Sequence, residues 1–176
     1  MIEFYAGQHA EVAAVFHEAV RRTAAAAYTP EQLAAWSPDP PNLGRWRARC
    51  ELKRPWLAVV GGRVAGFLEL DHVRGEDRDD PGVGRIDCHY VHPDFGRRGV
   101  GTALLRHAVE VATAFGLARL TVEASRVAAP LYRREGFVLL DDAPNAVRLR
   151  GQTLENWRMG RTLAAAHTRP DPPPTR

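Results

Sequence analysis

The run Val91-His92-Pro93-Asp94-Phe95-Gly96-Arg97-Arg98-Gly99-Val100-Gly101-Thr102-Ala103-Leu104-Leu105 carries a β-rich stretch into an amphipathic helix through a loop with three glycines and two adjacent arginines. Glycines let a backbone approach a ligand closely, and the first amides of a helix have no partner within it. With the helix dipole and Arg97 and Arg98 beside them, such amides suit an anionic phosphate or pyrophosphate. A nucleoside triphosphate loop would need Gly-Lys-Ser/Thr, and the chain has no Gly-Lys pair. The dinucleotide fingerprint G-x-G-x-x-G also fails, because Gly99-Val100-Gly101 is followed by Leu104. Taken alone, the segment is equally well read as a glycine turn before a helix.

The surrounding pattern narrows the fold. Residues 2–6 alternate weakly as a first strand, and apolar spacing predicts a helix over 9–24. Thr29-Pro30-Glu31-Gln32 reads as a helix start, with Thr29 as cap and Pro30 in the first turn, and a short helix is expected over 43–52. Residues 56–60 and 63–71 form a hairpin about Gly61-Gly62, followed by a charged loop over 74–84. Then come a strand over 85–91, a helix over 100–115, a strand over 117–123, a helix over 127–134 and a strand over 137–140. Residues 146–150 and 154–159 finish the sheet. The prediction is a mixed α/β sheet with helices on both faces. One domain over residues 1–163 is expected, with a Pro-rich disordered tail over 164–176.

A second motif lies downstream. Glu123-Ala124-Ser125-Arg126-Val127-Ala128-Ala129-Pro130-Leu131-Tyr132-Arg133-Arg134-Glu135-Gly136-Phe137 is a strand end, a helix and a glycine-stopped turn. Together the two segments resemble the GNAT superfamily of acetyl-CoA-dependent N-acetyltransferases. Its cofactor loop follows a strand ending in Val-x-Pro, here Val91-His92-Pro93, and its later signature corresponds to Ser125, Ala128, Leu131-Tyr132 and Gly136-Phe137. The usual Gln/Arg three residues before the first loop glycine is Gly96 here, with the arginines displaced toward the glycine. The ends, Tyr28 to Trp36 and Arg150-Gly151 to Met159, resemble the YafP-like acetyltransferases. The resemblance implies a mostly antiparallel central sheet with a splayed cofactor-binding strand.

It also implies roles. The amides of Arg98, Gly99, Val100, Gly101 and Thr102 would hold the pyrophosphate of acetyl-CoA, with Arg97 beside them, and the Tyr90 and Val91 backbone would pair with the pantetheine arm like an added strand. Ser125 would touch the cofactor or cap the following helix, or both. Tyr132 matches the tyrosine that protonates the departing thiolate, against the plainer reading of a half-buried core aromatic. Where the family often has a glutamate base, this chain has Arg85. Two-residue periodicity puts Arg85, Asp87, His89 and Val91 on one face, which makes Asp87 the first candidate for the base, with Glu69, Glu123 and His89 behind it. A structural or substrate-charge role for Asp87 is an equal alternative.

Other functions are disfavoured by the sequence. Cys88-His89-Tyr90-Val91-His92 points Cys88 away from His89 in a strand and has no further ligand cluster, so no metal site is expected. The net charge of +3 balances 24 basic against 21 acidic residues without a long like-charge run, so nucleic acid is not an expected partner. No apolar run reaches the roughly 18 residues that would span a membrane. Two cysteines and no export signal point to a cytoplasmic setting. The leading expectation is transfer of acetyl to a small-molecule primary amine, with a peptide amine as the alternative acceptor. A silent CoA-binding sensor on this fold is the rival class. Domains of this family often form homodimers.

Overall fold

The helix that follows the glycine loop organises the molecule. In the computed structural model, which describes residues 1–71 and 82–164, Gly99 adopts a left-handed φ of 80° just before that helix, α4 (Val100–Ala114). Val100, Leu104, Leu105, Ala108 and Ala112 form its buried stripe, at the spacing that keeps side chains on one helical face. They pack on a sheet of eight strands: β1 (Ile2–Phe4), β2 (Trp56–Val60), β3 (Arg63–Asp71), β4 (Val83–Val91), β5 (Arg119–Ser125), β6 (Val138–Leu139), β7 (Asn145–Leu149) and β8 (Gln152–Thr162).

The order is β1-β2-β3-β4-β5-β8-β6, with β7 also on β8. Among the described residues β4 and β5 are the parallel pair, and the other pairs are antiparallel. Parallel pairing joins residues 83–86 to residues 119–122 and stops there. Beyond it β4 stays with β3 and β5 with β8, so the sheet opens between them. The splayed strand implied by the resemblance is present.

Helix α5 (Ala129–Arg134) and α4 cover one face, where the main core gathers Leu68, Ile86, Leu120, Tyr132, Phe137 and Met159. The opposite face carries α1 (His9–Glu18), α2 (Pro30–Trp36) and α3 (Leu43–Lys53), over smaller clusters that include Val12, Leu57, Phe67 and Tyr90. Thr29 caps α2 in a reciprocal capping box with Gln32, as its sequence predicts. The helix expected over 9–24 is not uniform. After Glu18 it widens into a π-helical turn (Ala19–Thr23) and tightens into a 3₁₀ turn (Ala24–Ala26), a local distortion frequent at functional sites.

The loop expected over 74–84 lies, apart from residues 82–84, outside the described residues, as does the tail beyond residue 164. No helix among the described residues is long and apolar enough to cross a membrane.

Candidate active site

Strand β4 departs from the even alternation assumed from sequence. Glu69 of β3 pairs with Cys88, but Leu70 pairs with Ile86, so Asp87 has no partner across the ladder and forms a bulge. A bulge inserts one residue and re-aims every side chain beyond it. Arg85 and Asp87 therefore face α3, where Asp87 meets Lys53, and Cys88 follows them to that side. His89 and Val91 turn to the opposite face, with Ile86, against α4 and α5. The expectation that Arg85, Asp87, His89 and Val91 share a face is thus wrong for the last two.

Two cavities meet at the splay. One, of about 330 Å³, runs from the π-turn of the first helix to the start of α4. It is lined by Arg97, residues 99–102, Tyr90, Val91 and Ser125, so most of the expected cofactor residues come together there. Arg98 does not line it; its guanidinium lies 5.8 Å from the Phe95 ring centre. The first bond of the helical segment runs from the Ala103 N–H to the Gly99 carbonyl at 2.9 Å. The amides of Val100, Gly101 and Thr102 precede it and have no helical acceptor. A Cβ on Gly101 would sit 3.3–3.5 Å from Leu131, Val91 and His89, so that wall is already closely packed.

The second cavity, of about 220 Å³, opens on the other side between β4, β5 and the β7–β8 hairpin. Arg85, Asp87, Glu123 and Asn156 give it polar walls, and Leu149 and Leu154 apolar ones. Trp36, His89, Tyr90, Ser125 and Ala128 belong to both cavities and mark their junction.

Backbone orientation at the junction follows from one bond. His92 N–H donates to the Ala65 carbonyl at 2.9 Å, which makes Gly66 and Val91 a non-hydrogen-bonded pair. The Val91 N–H and carbonyl therefore point away from β3, into the splay. By the same alternation the Tyr90 backbone turns to β3 and Phe67, so of the two residues expected to pair with pantetheine, Val91 offers its backbone and Tyr90 its ring.

Tyr132 is 1% exposed, with its ring edge-on to Phe137 and to His89. Its hydroxyl lies 3.0 Å from His89 Nδ1. Burial pushes the Tyr132 phenol well above its ordinary range, and burial lowers His89 to about 4, so both groups are neutral near pH 7. Ser125 lines both cavities, and its hydroxyl accepts the Ala128 N–H at 3.3 Å, the contact expected of a cap for the following helix.

The carboxylates divide sharply. Asp87, 15% exposed, has one oxygen 2.7 Å from Lys53 Nζ and the other 3.0 Å from Arg85 Nε. Glu69 is fully buried under Arg49, which grips both its oxygens, and lines neither cavity. Glu123 is 42% exposed, faces the second cavity, and lies 4.0 Å from Arg85. Sequence reasoning missed Lys53 and Arg49 entirely, because both act across strands from a helix with no local motif. Trp36, at the end of α2, lines both cavities. No cluster of three or more candidate metal ligands occurs among the described residues.

A sheet splayed between one parallel pair, with a phosphate-type helix start on one side and a charged cavity on the other, defines an acyl-CoA-dependent transferase fold. The acetyltransferase (GNAT) family profile matches residues 17–137, and the chain belongs to that family. It is an acetyl-CoA-dependent N-acetyltransferase. The N-acetyltransferase YafP of Escherichia coli (strain K12) is 29% identical over 154 residues, spanning 87% of this chain and 89% of that protein. The crystal structure of a GCN5-related N-acetyltransferase from Rhodopseudomonas palustris superposes with a TM-score of 0.79 at 30% identity, over 93% of this chain and 95% of its own. The PaiA N-acetyltransferase of Thermoplasma acidophilum, solved in complex with coenzyme A, shares the fold with a TM-score of 0.68 at 17% identity, over 92% and 99%.

Proposed function

We propose that this chain transfers the acetyl group of acetyl-CoA to the primary amine of a small molecule by direct attack. The observation that carries the reading is the junction of the two cavities at His89, Tyr90, Ser125 and Ala128, with Tyr132 on the wall of the smaller cavity and the free Val91 amide on the larger. In this reading the cofactor lies in the larger cavity, its pyrophosphate on the amides of residues 98–102 with Arg97 alongside, and its pantetheine along the unpaired edge of β4. The acceptor enters through the smaller, charged one. Its 220 Å³ favours a small amine over a folded protein surface.

The amine nitrogen attacks the thioester carbonyl carbon. A C–N bond forms, and the C–S bond breaks. The developing oxyanion is held by the Val91 N–H, where charge appears in the transition state. Tyr132 gives its hydroxyl proton to the departing sulfur. The amine's surplus proton goes to Glu123, directly or through water. Asp87 has both oxygens engaged by cations, so in this reading it organises charge at the cavity wall and leaves the base role to Glu123.

Calorimetry with acetyl-CoA, joined to a thiol-release screen over polyamines, amino acids, aminoglycosides and peptides, tests this. Binding with turnover on small amines is expected. Turnover on peptides alone would replace the acceptor, binding without any turnover would favour the sensor reading, and failure to bind acetyl-CoA would sink the proposal.

A further inference from the structure

We infer that the acceptor amine carries a carboxylate several bonds from its reacting nitrogen, and that Arg85 and Arg158 bind this anion in a third cavity beyond the acceptor site. The inference rests on the acceptor placement proposed above and deepens it to a substrate class, the ω-amino acids.

The smaller cavity does not end at the splay. Arg85, Val122 and Glu123 are also walls of a further cavity of about 340 Å³, completed by Thr121, Asn145 and Arg158. The two share a boundary and form one groove across β4, β5 and β8. Thr121, Glu123 and Ser125 alternate away from Leu120, Val122 and Ala124, which lie in the main core, so they follow one another along this groove. Ser125 stands opposite Asn156 at the junction with the cofactor cavity. Glu123 stands opposite Arg158 one pleat further out, and residues so paired share a face of the sheet. Arg85 pairs with Thr121 across the parallel ladder.

Charge changes sign along the groove. Its inner section sets one cation, Arg85, against two carboxylates, Asp87 and Glu123. Its outer section sets two cations, Arg85 and Arg158, against Glu123 alone. An ammonium is favoured in the first and an anion in the second, which is the pattern of a zwitterion lying with its amine inward. A polyamine would set its far ammonium against the two arginines. Neither guanidinium is saturated by the contacts around the groove. Arg158 lies 3.8 Å from Asp141, and a terminal nitrogen of Arg85 lies 4.0 Å from Glu123, both beyond hydrogen-bond distance. A carboxylate fits the donor fork of arginine and accepts charge-assisted hydrogen bonds from it.

Strand geometry sets the length of the acceptor. Two residues of β5 separate Ser125 from Glu123, about 6.6 Å along the strand. An extended chain advances roughly 1.2 Å per bond, so about six bonds carry an amine at the junction to an anion beside Arg158. 6-Aminohexanoate has that spacing.

The test compares 6-aminohexanoate with 6-aminohexanamide, which keeps the length and the amine but removes the charge. Thiol release at saturating acetyl-CoA is measured in the parent chain, in Arg158→Gln and in Arg85→Gln. In the parent, kcat/KM for the acid should exceed that for the amide by about tenfold or more, the scale of one hydrogen bond to a charged group. Each substitution should bring the ratio to within about threefold of unity. Because the ratio compares two substrates on one protein, a variant that is merely less stable or less active lowers both rates and leaves it unchanged.

A parent ratio near one, or a ratio that survives in either variant, would overturn the inference. So would turnover of other amines with neither probe accepted. Binding of acetyl-CoA without turnover of any amine would instead overturn the acetyl-transfer reading itself, and the substrate class with it.

Discussion

Acid should destabilise this protein in a way traceable to His89. The perturbation is a fall from pH 7.5 to pH 5, applied to the parent chain and to His89→Leu. An unfolded histidine titrates near 6.5, whereas burial lowers the folded group to about 4. Above pH 6.5 the ring is neutral in both states and contributes no pH dependence. Between the two values the unfolded chain binds a proton that the folded chain refuses, so stability falls as pH falls. At pH 5 the loss is roughly 2 kcal/mol, and it levels off only below the folded value.

Urea denaturation at half-unit steps measures it. Subtracting the variant's curve from the parent's removes contributions common to both. Glu135, held below its ordinary range by Arg106, is such a group. Its stabilisation is present above the unfolded carboxylate value and is lost below it, outside the window used here. The expected result is a parent protein that loses about 2 kcal/mol against His89→Leu between pH 7.5 and 5. Parallel curves would mean that the folded state accepts the proton freely, and the buried neutral imidazole would have to be abandoned.

Two further outcomes follow from the geometry. Gly99→Val introduces a β-branched residue at a φ of 80°, where its Cβ meets no neighbour within 4 Å, so the cost is backbone strain rather than collision. About 1–2 kcal/mol of strain on the loop should raise the Kd for acetyl-CoA at least tenfold by calorimetry, with the melting temperature falling only a few degrees. Arg49→Met leaves the fully buried Glu69 without its two-oxygen partner, and chemical denaturation should register a loss of about 3–5 kcal/mol.

Local chemistry was legible in the sequence wherever a residue type dictates its own backbone. The Thr29 cap of α2, the Gly61-Gly62 hairpin and the start of α4 just after Gly99 all took the forms their residues predict. The turn from β7 to β8 was not legible in this way, since Arg150 takes a φ of 47° that its residue type disfavours, beside Gly151 at 79°. Charge partnerships were not legible. Lys53 reaches Asp87 across 34 positions and Arg49 reaches Glu69 across 20, and neither pair has a spacing rule because the separation depends on how α3 lies over the sheet. The widened turn after Glu18 likewise has no marker among Ala19, Val20, Arg21, Arg22 and Thr23.

The bulge explains why the missing information mattered to function. Period-two reasoning was sound for Arg85 and Asp87 and failed from His89 on, because one unpaired residue reverses everything after it. Nothing in the dipeptide Asp87-Cys88 announces such an insertion. It is fixed by β3, which pairs Glu69 with Cys88 and Leu70 with Ile86. Yet that reversal lets a single strand serve two cavities: its first half turns Arg85 and Asp87 toward the smaller cavity, and its second half turns His89 toward Tyr132 and the glycine loop. An evenly alternating β4 would send His89 to α3 and leave Tyr132 without its hydrogen-bond partner. The proposed catalytic arrangement therefore depends on a register choice made on the neighbouring strand.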